Sequence, residues 1–226
     1  MNRAKSLLPV LVVAAFLAGA AGAAGPPSEE GWALLSDAAV ARLGPDPNSW
    51  AIELGSACGF NGDECDLKTF RFSGVHLDKA QGGLVFAAIS ELSAEYSLKA
   101  GRAASRSPRF QLNVDTDGDG VPNGNVSVYL GLVPASAGEG GRLSTGNLLQ
   151  NRDSRFDLSE IGGSKEGTYG DALSLIGSLP VLGVQFVVDG GWEVREGQTV
   201  LVHSLKLNDI GLSVRVPPAP APIALE

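Results

Sequence analysis

Cysteine, histidine and methionine are scarce in this sequence, whose 226 residues include two cysteines, two histidines and one methionine. Neither histidine lies next to the two cysteines, so the spacing of zinc sites built from four Cys and His ligands is missing. The His-Glu-x-x-His run of zinc proteases and the Gly-x-Ser-x-Gly turn of many serine hydrolases are both missing. Aromatic residues make up only 6% of the chain, which is low for a protein that stacks sugars on rings. No enzyme class is therefore named by a motif, and His76 and His203 are predicted to be surface or sheet-facing residues.

Long stretches with helical periodicity are also scarce, and alternation of apolar and polar residues dominates instead. Strands are predicted at 50–54, 69–75, 84–89, 92–98, 110–114, 126–130, 183–188 and 199–207, the last with a register shift near Ser204. One helix is predicted at 169–176. The strands on either side of an acidic loop at 115–123 form a long hairpin. Many short strands with Gly-rich turns predict an all-β fold, a two-sheet antiparallel sandwich like a jelly roll.

The N-terminus has the features of an export signal. Arg3 and Lys5 form a short basic region, and an apolar run at 7–20 follows it. Small residues then offer a peptidase site, and we place cleavage after Ala23, with Ala20 as the alternative. The apolar run is shorter than the ~20 residues that a membrane-spanning helix needs. The sequence therefore predicts a protein secreted to the periplasm or the extracellular space.

The chain is predicted to comprise a signal peptide at 1–23, one β-sandwich domain at 24–215 and a Pro-rich tail at 216–226, which we expect to be an extended linker. Loss of the signal peptide removes two positive charges and changes the formal net charge from −8 to −10. An acidic protein repels phosphate backbones and anionic membrane surfaces, so nucleic acid is a poor partner. The mature domain is long enough to bury one sizeable core and has no predicted membrane span.

The most specific motif is the acidic run Asp-Thr-Asp-Gly-Asp-Gly-Val-Pro-Asn. Its aspartates, Asp115, Asp117 and Asp119, alternate along the chain and would repel one another without a cation. Ca²⁺ takes six to eight oxygen ligands, and such a run supplies several on a loop that can curl around the ion. The main-chain carbonyl of Val121 and the side chain of Asn123 extend the predicted ligand set. The alternative is a solvated hairpin turn, because turns also favour Asp and Gly.

The two cysteines, Cys58 and Cys65, enclose the short segment Gly-Phe-Asn-Gly-Asp-Glu. Export implies an oxidising compartment, where a close pair of cysteines forms a disulfide more often than it stays reduced. The chain-entropy model gives such a short loop about 2.5 kcal/mol of stabilisation. We therefore predict a Cys58–Cys65 disulfide, since a metal site would need further ligands that the sequence does not place nearby.

Several sequence segments resemble segments of secreted bacterial β-sandwich domains of unknown function, which are similar to carbohydrate-binding modules. These segments lie at 89–96, 107–115, 188–192 and 198–205, within a stretch that spans about 69–208. The resemblance implies a jelly-roll-like sandwich without a settled activity. Sugar-binding jelly rolls often carry an aspartate in the closing strand that helps to hold a structural calcium. This sequence has His203 there, a poor Ca²⁺ ligand.

The acidic loop itself resembles single calcium-binding repeats of the thrombospondin type 3 and dockerin families. It is not a complete EF-hand, because Val126 occupies the twelfth position, where that motif needs a bidentate glutamate. With three carboxylates and no bidentate ligand to close the site, we expect weak affinity, with a Kd of ~10⁻⁴–10⁻³ M.

The leading interpretation is a secreted, non-catalytic β-sandwich with a Ca²⁺-stabilised hairpin loop that binds an extracellular carbohydrate or a cell-surface ligand. Trp192 follows Asp-Gly-Gly and is the candidate sugar-stacking platform, although tryptophan in a sandwich is more often a core or edge residue. The alternative is a small extracellular glycan-active hydrolase with two carboxylates, but Glu91 and Glu95 better fit a solvated outer face. A third class is a structural or adhesive wall protein tethered by its Pro-rich tail.

Overall fold

The computed structural model describes residues 32–36, 38–42, 50–57, 60–61, 64–65, 71–78, 84–101, 106–130, 141–189 and 197–213. Fourteen strands lie in these ranges: β1 (Trp32–Ser36), β2 (Ala39–Arg42), β3 (Trp50–Ser56), β4 (Phe60–Asn61), β5 (Glu64–Cys65), β6 (Phe72–Asp78), β7 (Leu92–Ala100), β8 (Arg109–Val114), β9 (Gly124–Tyr129), β10 (Arg142–Ser144), β11 (Arg155–Asp157), β12 (Val181–Asp189), β13 (Gln198–Leu207) and β14 (Ile210–Ser213). The described helices are two 3-10 turns, Phe86–Ala88 and Ser159–Ile161, and one α-helix, α1 (Tyr169–Ile176). None of them is long and apolar enough to cross a bilayer.

The strands form two antiparallel sheets. The first sheet has the order β1-β6-β12-β8-β9-β11, and the second has the order β10-β7-β13-β3-β2 with β14 also paired to β13. Strands β4 and β5 form a separate two-stranded ladder. The chain passes repeatedly from one sheet to the other, and one continuous cluster of buried apolar side chains draws on both sheets. The predicted all-β, two-sheet antiparallel sandwich is confirmed.

Alternation explains how each central strand contributes to the core. In β8, Phe110, Leu112 and Val114 are buried, whereas Gln111 and Asn113 are half-buried on the outer face. Successive side chains of a strand point to opposite faces, so one face of β8 packs on the facing sheet. β8 and β9 pair in register on either side of residues 115–123. The predicted hairpin is therefore confirmed.

Helix α1 has the bounds predicted for it, and its start is set by local hydrogen bonds. The Thr168 side chain accepts from the main-chain N–H of Asp171, and the Asp171 side chain accepts from the main-chain N–H of Thr168. This reciprocal capping box satisfies two donors that the first turn of a helix leaves free. Ala172 and Ile176 are buried on its inner face, so α1 covers one part of the core.

The strand predicted at 84–89 is wrong. Phe86–Ala88 is a 3-10 turn, and only Val85 makes an isolated bridge, to Pro180. Phe86 and Ile89 are buried while the two alanines between them are exposed. A spacing of three between buried residues suits a 3-10 turn, whereas a strand requires a spacing of two. The uninterrupted apolar run at these positions carried no periodicity that could separate the two.

Several short strands were not predicted. β1, β11, β10 and β2 lie at the edges of the two sheets, and β14 adds only four residues beside β13. Edge strands bury less surface than central strands, so their sequences carry weaker alternation. By contrast, the register shift predicted near Ser204 is confirmed, between Val202 and Ser204 in the pairing of β13 with β7.

Some predictions concern residues outside the described ranges: the signal peptide at 1–23, the tail at 216–226, Cys58 and Trp192. Only the backbone of Cys65 is described, in the ladder with Phe60. The export signal, the disulfide and the stacking platform therefore stay predictions.

A buried serine connects the two sheets. Ser73 of β6 is fully buried, and its hydroxyl donates to the carbonyl of Gly55 on β3 at 2.7 Å. The same hydroxyl oxygen accepts from the main-chain N–H of Gly55, also at 2.7 Å. One side chain thus satisfies both main-chain polar groups of a residue in the opposite sheet.

Replacing Ser73 with alanine should destabilise the sandwich, because both main-chain groups of Gly55 lose their side-chain partner. Losing such partners costs roughly 1–3 kcal/mol in the free energy of unfolding. Ser174→Ala is the matched control, since the Ser174 hydroxyl bonds the Gly170 carbonyl on an exposed helix surface, and we expect a change within about 0.5 kcal/mol. Urea unfolding measures both. Equal, small changes would show that the Ser73 contact does not hold the sheets together.

Candidate metal centre

The acidic loop at 115–123 is fixed at both ends by the hairpin and by a neighbouring strand. Val114 and Gly124 face each other at the end of the β8–β9 ladder, and the N–H of Asn123 donates to the Val114 carbonyl at 3.1 Å. The N–H of Asp115 donates to the Pro180 carbonyl at 3.0 Å, immediately before β12 begins. The first carboxylate of the loop is therefore anchored to the end of the first sheet.

The three aspartates converge. One carboxylate oxygen each from Asp115, Asp117 and Asp119 lie within 4.8 Å of one another. Asp115 is only 3% exposed, whereas the other two are exposed. The structure thus brings together the three carboxylates that the sequence singled out, with one inside the loop and two at its surface.

Main-chain donors organise the buried carboxylate. The N–H of Gly118 donates to Asp115 Oδ1 at 2.6 Å, and the N–H of Gly120 donates to Asp115 Oδ2 at 2.9 Å. Both glycines have positive φ angles, 81° and 82°. This left-handed conformation costs glycine little and other residues considerably more. The glycines therefore allow the chain to wrap around Asp115.

The same donors keep Asp115 ionised. The hydrogen bond from the Gly120 N–H lowers its pKa most, the Gly118 N–H lowers it further, and burial acts in the opposite direction. A carboxyl group with a lowered pKa contributes stability that is complete above its ordinary pKa of about 3.9 and is lost as the pH falls through the lower folded value. At neutral pH the loop therefore presents a fixed, charged oxygen pair.

The other two predicted ligands are Val121 and Asn123, and their described hydrogen bonds do not join them to all three carboxylates. The Asn123 side-chain oxygen accepts from the N–H and the hydroxyl of Thr116, at 2.7 and 2.8 Å. The N–H of Val121 donates to Asp119 Oδ1 at 2.8 Å, and the Val121 side chain is 57% exposed. Asn123 thus closes the loop through Thr116. Sequence reasoning missed Thr116, because nothing in the motif indicates which group an asparagine at this position bonds.

Gly124 is a second residue that sequence reasoning missed. A Cβ atom built on Gly124 would lie 2.5 Å from Cγ2 of Ile161, so the second 3-10 turn packs directly on the backbone where β9 begins. Asn125, the next residue, donates from its side-chain amide to Glu160 Oε2 at 2.9 Å. The start of β9 is therefore also in contact with the 3-10 turn at Ser159–Ile161.

The donor set suits a hard divalent cation. Carboxylate and carbonyl oxygens are the preferred ligands of Ca²⁺, which accepts irregular geometries and fills remaining positions with water. Mg²⁺ demands near-ideal octahedral geometry and releases its water reluctantly. One buried, hydrogen-bonded carboxylate and two exposed carboxylates on the same loop therefore suit Ca²⁺ better than Mg²⁺.

A second polar cluster lies on the outer face of the second sheet. His203 Nε2 is 3.0 Å from the hydroxyl oxygen of Ser97 on the adjacent strand. Ser97 is only 3% exposed, so its hydroxyl is poorly placed to attack a substrate. His203 is a sheet-facing residue, as predicted.

The carboxylates considered for glycan hydrolysis are each held by a separate cation. Lys206 Nζ lies 2.7 Å from Glu91 Oε2, and an Arg142 nitrogen lies 2.6 Å from Glu95 Oε2. These separate ion pairs fit the predicted role of both residues on a solvated outer face, because a cation beside a carboxylate favours its charged form and a hydrolytic pair needs one protonated acid.

Comparisons of the chain with protein-family models, with curated proteins and with solved structures find no match. Function is therefore inferred from the chemistry of the sites.

The buried carboxylate is expected to matter more for stability than the exposed ones. In Asp115→Asn, the amide would place an NH₂ group against the N–H of Gly118 or Gly120, whereas the amide oxygen of Asp119→Asn can still accept from Val121. With a chelator present, Asp115→Asn should lower the melting temperature clearly and Asp119→Asn should hardly change it. Differential scanning calorimetry compares the two. Equal melting temperatures would contradict the role given to Asp115.

Protonation of His203 is expected to destabilise the folded protein. Burial lowers the pKa of His203 and Arg142 lowers it further, whereas Glu95 raises it. Because the folded pKa lies below the ordinary value of about 6.5, the stability linked to neutral His203 is complete above that pH and is lost as the pH falls. Melting curves recorded from about pH 8 to pH 5 should show a steeper decline for wild type than for His203→Gln. Parallel declines would contradict this assignment.

Proposed function

We propose that the chain is a secreted, non-catalytic β-sandwich module whose acidic loop holds one structural Ca²⁺ and whose surface binds an extracellular glycan or cell-surface ligand. The observation that supports it is the convergence of Asp115, Asp117 and Asp119 at the end of the β8–β9 hairpin, with oxygens within 4.8 Å of one another. This arrangement concentrates negative charge that a divalent cation would neutralise.

Calcium would act on the hairpin and through it on the sandwich. Asp115 is anchored to β12 through the Pro180 carbonyl, while Asp117 and Asp119 lie on the exposed part of the loop. An ion bound by all three would connect the exposed turn to the sheet end. The Val121 carbonyl and, directly or through water, Asn123 are the proposed remaining protein ligands. The proposed role is structural, because such an ion would hold the exposed turn against the end of the sheet.

Export accounts for both the calcium and the cysteines. Millimolar Ca²⁺ outside the cell would saturate a weak site, and an oxidising compartment would support the proposed Cys58–Cys65 disulfide. Trp192 stays a candidate stacking platform, and the tail at 216–226 stays a candidate extended linker. The hydrolase alternative is less favoured, because Glu91 and Glu95 are each paired with a cation.

Calcium should stabilise the folded protein. A ligand that binds only the folded state adds RT ln(1 + [L]/Kd), about 1.4 kcal/mol when Ca²⁺ is tenfold above Kd. For a domain of this size that corresponds to a rise of about 3–6 °C in melting temperature. Mg²⁺ should raise it less. Differential scanning fluorimetry with and without chelator, together with calorimetric titration, measures the effect.

The double variant Asp117→Asn, Asp119→Asn should fold but lose the calcium response. Asp153→Asn, Asp209→Asn is the matched control, because it removes the same charge from acidic side chains outside the loop, and it should respond like wild type. A wild-type protein with no calcium-dependent shift and no calorimetric binding at millimolar Ca²⁺ would show that the loop is an ordinary polar turn.

A further inference from the structure

An open groove of about 570 Å³ lies on the outer face of the second sheet. β7 and β13 form its floor, Ser144 and Asn147 line one side, and Asp209 and Gly211 line the other. The two sides follow from strand pairing, since β10 lies beside β7 and β14 lies beside β13. The volume is within the range of about 300–1,000 Å³ that is usual for ligand sites.

The first carboxylate of the floor is held in place by neighbouring side chains. Glu91 Oε1 accepts from the Ser93 hydroxyl at 3.3 Å, and Glu91 Oε2 accepts from Lys206 Nζ at 2.7 Å. Each carboxylate oxygen has two lone pairs, so these bonds leave acceptor sites. The Glu91 side chain keeps 33% of its surface exposed and the Lys206 side chain 47%. Both are oriented yet accessible.

The second carboxylate is arranged in the same way. Glu95 Oε2 accepts from Arg142 at 2.6 Å and from the Ser204 hydroxyl at 3.3 Å. Glu95 Oε1 accepts no hydrogen bond from any residue that the structure describes, and the side chain is 43% exposed. The floor therefore carries two fixed, solvent-facing acceptors with hydroxyl groups beside them.

A β-bulge in β13 places Ser204 in this groove. Val200 and Val202 are buried, and continued alternation would bury Ser204 as well. The register shift between Val202 and Ser204 reverses the alternation, so that Leu205 is buried and Ser204 lies on the outer face. Bulges commonly re-aim side chains next to functional sites. The bulge therefore adds Ser204 to the floor of the groove, which already has Ser93.

The chemistry of the groove favours a neutral, polyhydroxylated ligand. Lys206 and Arg142 neutralise Glu91 and Glu95, which leaves little net charge in the groove and disfavours a strongly charged ligand of either sign. The two leucines of the lining, Leu205 and Leu212, are buried, which leaves no apolar anchor of the kind that peptide and protein partners use. Sugar hydroxyls both donate and accept, and so match alternating carboxylates, serines and lysine.

We propose that this groove binds a segment of neutral glycan, with Glu95, Ser204 and Lys206 making the central hydrogen bonds. The assignment rests on the proposed function of the chain as an extracellular glycan-binding module, and it names the binding surface. It requires no aromatic platform, because the contacts are hydrogen bonds from side chains that neighbouring residues already hold in place.

The test measures binding of the exported protein, with Ca²⁺ present, to an array of neutral, uronate-bearing, sulfated and amine-bearing oligosaccharides. The affinity of the neutral oligosaccharide that binds most tightly is then measured by titration calorimetry.

Three variants locate the binding surface. Ser204→Trp fills the groove and should weaken binding by at least about tenfold. Gln111→Trp, on the outer face of the first sheet, is the matched control and should bind within about twofold of wild type. Glu95→Gln is the second variant, with an expected loss of about tenfold from removal of a charged acceptor, and melting temperatures confirm that each variant is folded.

A folded Ser204→Trp or Glu95→Gln variant that loses the neutral oligosaccharide, while Gln111→Trp keeps it, supports the groove. Binding that survives both groove variants overturns the assignment but leaves the glycan-binding function standing, because another surface must then hold the ligand. Binding to acidic glycans alone, or to amine-bearing glycans alone, also overturns it. No binding to any glycan overturns both the groove and the glycan part of the proposed function, while the calcium response remains a separate measurement.

Discussion

Burial of one face of each sheet against the other is the constraint on which the rest of the molecule depends. Every central strand buries alternate residues in a single apolar cluster, from Phe110 and Phe186 in the first sheet to Val202 and Leu205 in the second. Phe110 and Phe186 meet edge to face with ring centroids 5.0 Å apart. Because apolar side chains fill most of the inner faces, with Ser73 as a hydrogen-bonded exception, the charged groups lie on outer faces and in loops at the sheet ends.

Both candidate sites follow from that constraint. The acidic loop lies where β8 turns into β9, and its buried carboxylate is held by the main chain of the loop and by the end of β12. The groove lies on the outer face of the second sheet, where a bulge changes which residues of β13 face outwards. In each case the sheet supplies a rigid base, and rigid elements hold functional groups more accurately than free loops do.

Much of the fold was predictable from the local pattern of apolar and polar residues. The alternation of Phe110, Leu112 and Val114 predicted β8, the matching pattern after the acidic loop predicted β9, and the apolar cluster before Gly177 predicted α1. The edge strands and the 3-10 turn at Phe86–Ala88 were not predictable in the same way. Edge strands are defined by a distant partner, and an uninterrupted apolar run fits more than one secondary structure.

The two sites differ in the same way: the residues of the acidic loop are close in sequence, whereas those of the groove come from distant parts of the chain. The spacing of Asp115, Asp117 and Asp119 predicted their convergence, because the ligands of such a loop are close in sequence. The hydrogen bonds from Thr116 to the Asn123 side chain depend on the loop conformation, and the residue types alone did not predict them. The groove depends on strand order, since Glu95 and Ser204 are 109 residues apart in the chain and meet only through the pairing of β7 with β13.

A residue-resolved NMR titration shows whether the three loop carboxylates share one Ca²⁺. Calcium added to calcium-free, isotopically labelled protein should shift the amide signals of residues 115–121 and Asn123, above all those of Gly118 and Gly120, with one common saturation curve. Signals from the outer face of the second sheet, including those of Glu91 and Glu95, should stay unchanged. Unchanged loop signals at millimolar Ca²⁺, or shifts centred on Glu91 and Glu95, would contradict the account.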